Sequence, residues 1–153
     1  DRVLDEDVNV LLRLKGGGKG TLTVSQIAIG EENALRIKVY GSKGAIVWDQ
    51  ENPNYLSVYK YGEPKHTYTR ASGYLSQPAR EVGRVPTGHP EGYLEAFANI
   101  YCGAAEAIRR YLDHHPMKPE EYKFPTVYDG LRGMQFITKA VESSNKGSAW
   151  VNM

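Results

Sequence analysis

His89 stands in Gly88-His89-Pro90, where a long aperiodic loop meets one of the most apolar helical stretches of the chain, GHPEGYLEAFANIY. A neutral imidazole there can donate to or accept from a hydroxyl group. The free amides and partial positive charge of a helix N-terminus also suit polar or anionic ligand groups. The same loop carries Tyr74, Arg80 and Arg84. Two roles stay open for His89: a cap on the following helix, or a contact to a ligand. For Tyr93 and Glu91 the simpler readings are a packed ring and a solvated acid of the first helical turn.

Other chemistry finds little support. GGGKG, residues 16–20, joins two strand-like runs with no helix behind it, so it reads as a turn and not as a phosphate loop. There is no HExxH and no cysteine pair, and His114-His115 falls at a helix end, where a capping role is simpler than metal binding. No serine sits in a nucleophile-elbow context. Cys102, the single cysteine, lies in a helical pattern beside Gly103 and is expected to be a buried structural thiol in a reducing compartment. No catalytic, cofactor-binding or metal-binding residue is therefore assigned to this chain.

The totals agree with that restraint. Lys and Arg number 19 against 18 Asp and Glu, with no long basic run, so neither a nucleic acid nor a membrane surface is an expected partner. No apolar run has the length of a spanning helix, and a cytoplasmic protein is expected. At 153 residues one globular domain is the natural unit. The opening DRVLDED reads as the approach to a strand, which makes the chain, in expectation, a piece of a longer protein.

The elements that position the loop follow from periodicity. VNVLLRLK, TLTVSQIAI, ALRIKVY, AIVWDQ, YLSVYKY and KHTYTR have the alternation or turn-bounded setting of strands, and an antiparallel meander with hairpin-length links is expected. Leu35, Ile37, Val39, Leu56 and Val58 make an aliphatic face, with Arg36, Lys38, Tyr40, Tyr55, Tyr59 and Tyr61 opposite. That second face has the composition of an interface, or is simply solvated.

The second half changes period. Leu94, Phe97, Tyr101, Ala104, Ile108 and Tyr111 recur at helical spacing, with Pro90 expected in the first turn and His89 at or next to the N-cap. A second helix is expected after Thr126, which has capping-box spacing to Asp129. Val127, Leu131, Met134, Ile137 and Val141 are its expected buried stripe, Gly147 its C-terminal cap, and SAWV a last short strand. The fold class is α+β: a mostly antiparallel open sheet of six or more strands with helices packed on one face. Residues 71–90 remain without periodicity, a length of link that is usually functional or disordered.

The run GTLTVSQIAIGEENALRIKVYGSKGAIVWDQENPNYLSVY, with GHPEGYLEAFANIY, FPTVYDGLRGMQFI and AVESSNKGSAWV, resembles the C-terminal domain of the glucose-fructose oxidoreductase / inositol dehydrogenase / MocA (Gfo/Idh/MocA) family over nearly the whole chain. The VYGSKGAIVW hairpin is common across that family, and GHPEGYLEAFANIY is typical of one subgroup of sugar-type dehydrogenases.

The resemblance implies a longer parent whose N-terminal Rossmann domain, absent from this chain, binds NAD or NADP. It also implies a Glu-Lys-Pro motif and an Asp/His helix that complete the acid-base set, and neither is matched here. Residues 1–153 are then the substrate-binding and oligomerisation domain of an NAD(P)-dependent oxidoreductase acting on a sugar, inositol or similar polyol by hydride transfer. The chain alone is expected to be inactive and to bind no nucleotide. His89 is the first local candidate for a substrate contact, with Arg80 and Tyr93 behind it, and a homo-oligomer through the open sheet face is expected. The alternative is a non-catalytic oligomerisation or carbohydrate-binding module.

Overall fold

A computed structural model describes residues 3–153. Six strands and three α-helices follow one another: β1 Asp7–Arg13, β2 Lys19–Ser25, β3 Arg36–Gly41, β4 Gly44–Asp49, β5 Tyr55–Lys60, β6 His66–Thr69, α1 Gln77–Glu81, α2 Tyr93–Leu112 and α3 Val127–Asn145, with a 3-10 turn at Pro119–Glu121 before α3. The chain divides into two compact units, one of Asp1–Glu32 and Val127–Met153, the other of Asn33–Thr126.

All six expected strands form, but not as one sheet. β1 and β2 make a two-stranded antiparallel ribbon, and β3-β4-β5-β6 make a four-stranded antiparallel meander. The break falls at residues 26–35, a link too long to enforce pairing of its flanking strands as the short turns elsewhere do. GGGKG is the turn of the first ribbon: the Leu14 amide donates to the Gly18 carbonyl (2.8 Å) and Gly17 takes φ 83°. SAWV forms no strand among the described residues.

Register fixes the two faces of the meander. Ile37 pairs with Trp48, Val39 with Ile46, and Ile46 with Val58, so these residues share one face with Leu56 and Tyr68. Lys38, Tyr40, Ala45, Val47, Ser57, Tyr59 and Tyr55 share the other. The aliphatic face and the tyrosine and cation face expected from alternation are therefore separated as read. Ile37 (49%) and Val39 (53%) remain about half exposed, because the extensive contacts between elements here are strand on strand.

The helical stripes are likewise open. Leu131 of α3 is 54% exposed and Cys102 of α2 is also exposed, so neither the buried stripe nor the buried thiol expected of them is present. Even so, the Cys102 thiol has a neighbour, the Arg84 guanidinium, whose Nη2 lies 3.8 Å from Sγ.

Helix ends are well determined. α2 stops in a Schellman arrangement, with the His115 amide donating to the Arg110 carbonyl (2.8 Å) and that of His114 to Tyr111 (3.1 Å). His114 takes φ 61° there, so it caps by backbone conformation and not by side-chain charge. α3 begins directly after Thr126 and ends in the same motif: Ser148 donates to Ser143 (2.9 Å), Gly147 to Ser144 (3.0 Å), and Gly147 has φ 67° as its capping role requires.

In the last turn of α3, hydrogen bonds from Lys139 and then Lys146 hold the Glu142 carboxyl at about 2, below its ordinary 4.5. A depressed acid contributes stability that is present above the ordinary value and disappears as pH falls toward the depressed one. Helicity of this turn is expected to drop between pH 4.5 and about 2, and Glu142→Gln to abolish that dependence; carboxyl titration by NMR with circular dichroism reads both.

Candidate functional site

The ends of β5 and β6 build the site. Tyr55 pairs with Thr69, so the next residues outward, Asn54 and Arg70, face each other, and the Arg70 amide donates to the Asn54 carbonyl (3.0 Å). Arg70 then turns its guanidinium onto the segment 84–91. Its Nε donates to Asn54 Oδ1 (3.1 Å), Nη1 to the Val85 carbonyl (3.0 Å), and Nη2 to the carbonyls of Pro86 (3.5 Å) and His89. Nη1 also forms an ion pair with Glu91.

Glu91 is the correction of most consequence. It was expected to be a solvated acid, yet it is buried, with its side chain 5% exposed against 17% for Arg70. Its Oε1 accepts from the backbone amides of Arg84 (2.7 Å) and Val85 (3.2 Å), and its own amide donates to Asn54 Oδ1 (3.0 Å). Its Oε2 accepts no hydrogen bond and is met by Arg70 as an ion contact. One carboxylate thus closes the segment 84–91 from within, and one arginine fastens it to the sheet.

A cluster of hydroxyls adjoins this pair. Thr69 Oγ1 lies 2.7 Å from Ser72 Oγ and 3.0 Å from the Tyr74 hydroxyl, and the Thr69 amide donates to that hydroxyl (2.7 Å). Thr87 Oγ1 donates to the Arg70 carbonyl (3.3 Å). The Ser72 and Thr69 hydroxyls, with the Thr69 amide, hold the Tyr74 phenol below its ordinary value, while its ring meets Tyr68 edge to face at 5.1 Å.

Gly88 explains why the turn can be made. The His89 amide donates to the Pro86 carbonyl (3.2 Å) and Gly88, in the third position, has φ 90°, which a type II turn reserves for glycine. His89 does not reach the N-cap. α2 starts at Tyr93 with Gly92 as N-cap, and Pro90 precedes the helix instead of opening it. The Glu95 side chain takes the first amide in hand, accepting from Gly92 N (2.8 Å), which is the main reason its carboxyl is held below the ordinary range.

The proposed contact residues are distributed around this framework. His89 has a tethered backbone and an exposed side chain. Tyr93 is 68% exposed and packs its ring against Phe97 at 4.9 Å. Arg80 is exposed in the last turn of α1, a short helix inside the segment that periodicity left unstructured. Among the described residues, no hydrogen bond, ion pair or ring contact joins these three to one another. Arg70, Asn54, Ser72 and Thr87 escaped the sequence reading. The one signal that pointed to them is hairpin register, which sets Asn54 opposite Arg70 once Tyr55 is paired with Thr69.

No group of three or more His, Cys, Asp or Glu residues suited to a metal occurs among the described residues. The glycines at residues 16–20 are spent on a hairpin and have no helix behind them, so they do not fit a nucleotide phosphate. No helix among the described residues is long and apolar enough to cross a membrane.

Residues 2–153 match the family model described as the C-terminal alpha/beta domain of the oxidoreductase family. The uncharacterized oxidoreductase YfiI of Bacillus subtilis (strain 168) is 35% identical over 152 residues, covering 97% of this chain and 38% of that protein. An oxidoreductase from Sinorhizobium meliloti is 47% identical with a TM-score of 0.88, over 99% of this chain and 42% of that one. An inositol dehydrogenase homologue from Azotobacter vinelandii, complexed with NADH and myo-inositol, has a TM-score of 0.94 at 28% identity, over 99% of this chain and 40% of that one. The chain therefore spans well under half the length of these relatives. With its hairpins, its meander and its two long helices accounted for by that match, the chain belongs to the C-terminal alpha/beta domain family of the Gfo/Idh/MocA oxidoreductases.

Proposed function

We propose that the chain is the substrate-binding and oligomerisation domain of an NAD(P)-dependent oxidoreductase that acts on a sugar, inositol or similar polyol by hydride transfer. The observation that carries this reading is the likeness, over 99% of the chain, to an inositol dehydrogenase homologue complexed with NADH and myo-inositol. In this reading the N-terminal Rossmann domain of the parent supplies the cofactor, and the share of this chain is to hold and orient the polyol. His89 is the hydroxyl contact, with Tyr93 and Arg80 alongside. An imidazole ring on a tethered backbone suits a hydroxyl that both donates and accepts.

One surface has a further role in the parent: the face bearing Tyr40, Tyr55 and Tyr59 joins subunits. Tyrosine mixed with small polar residues supplies area at low entropic cost, which favours association over a merely solvated face.

His89→Ala in the full-length protein is expected to lower kcat/KM for the polyol by about 10- to 100-fold while nucleotide affinity is unchanged. Steady-state kinetics on a panel of myo-inositol and aldoses, with calorimetry for NADH and NADPH, test this. Loss of nucleotide binding in the variant, or turnover of no polyol by the unaltered protein, would remove the assignment.

A further inference from the structure

We propose that Arg70 and Glu91 are positioning residues for the polyol site: the pair sets the backbone of His89 and so the direction of its ring. The inference rests on the polyol reading above and deepens it.

Three observations converge on this role. First, Arg70 is committed to the segment 84–91 at every nitrogen but Nε, gathering the carbonyls of Val85, Pro86 and His89 together with the Glu91 carboxylate. Second, Glu91 faces the same segment from its far end and accepts from the amides of Arg84 and Val85, so the segment is closed on itself by one carboxylate. Third, both side chains are largely withdrawn from water, while His89 between them is exposed.

An ion pair whose only task was surface solubility would not be buried. Removing two charges from water is unfavourable unless the geometry supplies further hydrogen bonds, and here all of those bonds except that from Arg70 Nε to Asn54 go to one loop. The geometry also explains why arginine is required: a planar fork serves several acceptors in fixed directions, whereas a lysine ammonium serves one point. Asn54 completes the device, since its Oδ1 accepts from both Arg70 Nε (3.1 Å) and the Glu91 amide (3.0 Å) and so ties the pair to the end of β5.

Arg70→Lys in the full-length protein tests the proposal. The expected result is a KM for the polyol raised about 10- to 100-fold, a kcat changed much less, an unchanged affinity for NADH, and faster hydrogen exchange at the amides of Arg84, Val85 and His89. In the His89→Ala background the same substitution is expected to add nothing to the loss in kcat/KM, because the pair acts through His89. Faster exchange with unchanged KM overturns the proposal and leaves the polyol reading standing. So does an additive effect in the His89→Ala background, or a joint loss of polyol and nucleotide binding. If the unaltered protein turns over no polyol, it is the polyol reading that fails, and the positioning role falls with it. Should Arg70→Lys not fold, Glu91→Gln, which keeps an oxygen for the Arg84 and Val85 amides, is read by the same measurements.

Discussion

Gly44→Ala is expected to be the most damaging single methyl that can be added to the four-stranded sheet. A Cβ at Gly44 would lie 2.2 Å from the Tyr59 carbonyl oxygen and 3.3 Å from its carbon. Both are backbone atoms of β5, so no side chain can swing aside, and relief requires the β4–β5 ladder to open where Gly44 pairs with Lys60. Overpacking of this kind costs about 1–3 kcal/mol or more. For a domain of this size that is a fall in melting temperature of several degrees, about 2–4 °C per kcal/mol. Gly41 provides the control. It pairs with Gly44 across the β3–β4 turn, but a Cβ there would have only the Gly44 carbonyl oxygen at 3.6 Å, an ordinary contact. Gly41→Ala is expected to leave the melting temperature within about 1–2 °C, and equal effects at the two positions would contradict the steric account.

Glu91→Ala is expected to destabilise at least as much, by a different route. It strands the Arg70 guanidinium, whose side chain is 17% exposed, and leaves the Arg84 and Val85 amides without their acceptor. Breaking a buried pair by removing one partner costs about 3–5 kcal/mol, more than the pair itself contributes. The double variant Arg70→Ala/Glu91→Ala should therefore be more stable than Glu91→Ala alone. Denaturant unfolding of the two single variants and the double variant measures the coupling, and additivity within about 0.5 kcal/mol would show that the pair is not energetically linked. The exposed pair Lys123–Glu81, at 3.1 Å with side chains 73% and 45% exposed, is the contrast: its removal is expected to leave the unfolding midpoint nearly unchanged.

The difference between these two glutamates shows where local sequence information runs out. Glu81 and Glu91 are both single acids in or beside the aperiodic segment, and nothing within four positions of either says which one is buried. Glu91 is buried because Arg70, from the end of β6, arrives on the same side of the segment 84–91. The start of α2 has a similar history. Pro90 and Glu91 are good first-turn residues by type, but Glu91 is occupied by Arg70 and by the amides behind it, and the helix begins only at Tyr93. Tertiary demand overrode a local preference worth a fraction of a kcal/mol.

What the sequence by itself determined is everything that repeats at short period. Six strands, two long helices, the hairpin turn at residues 41–44 and the Gly147 cap were all legible, as was the division of the meander into an aliphatic face and a tyrosine-bearing face. Alternation and helical spacing are set by residues two to four positions apart, so the pattern is complete within a short window. Tertiary structure alone decided that the strands part into sheets of two and four, that Leu131 and Cys102 stay exposed, and that Arg70 and Glu91 enclose the His89 loop. Those outcomes depend on which distant segments meet. Such encounters are governed by the path of the loops, which local periodicity does not encode.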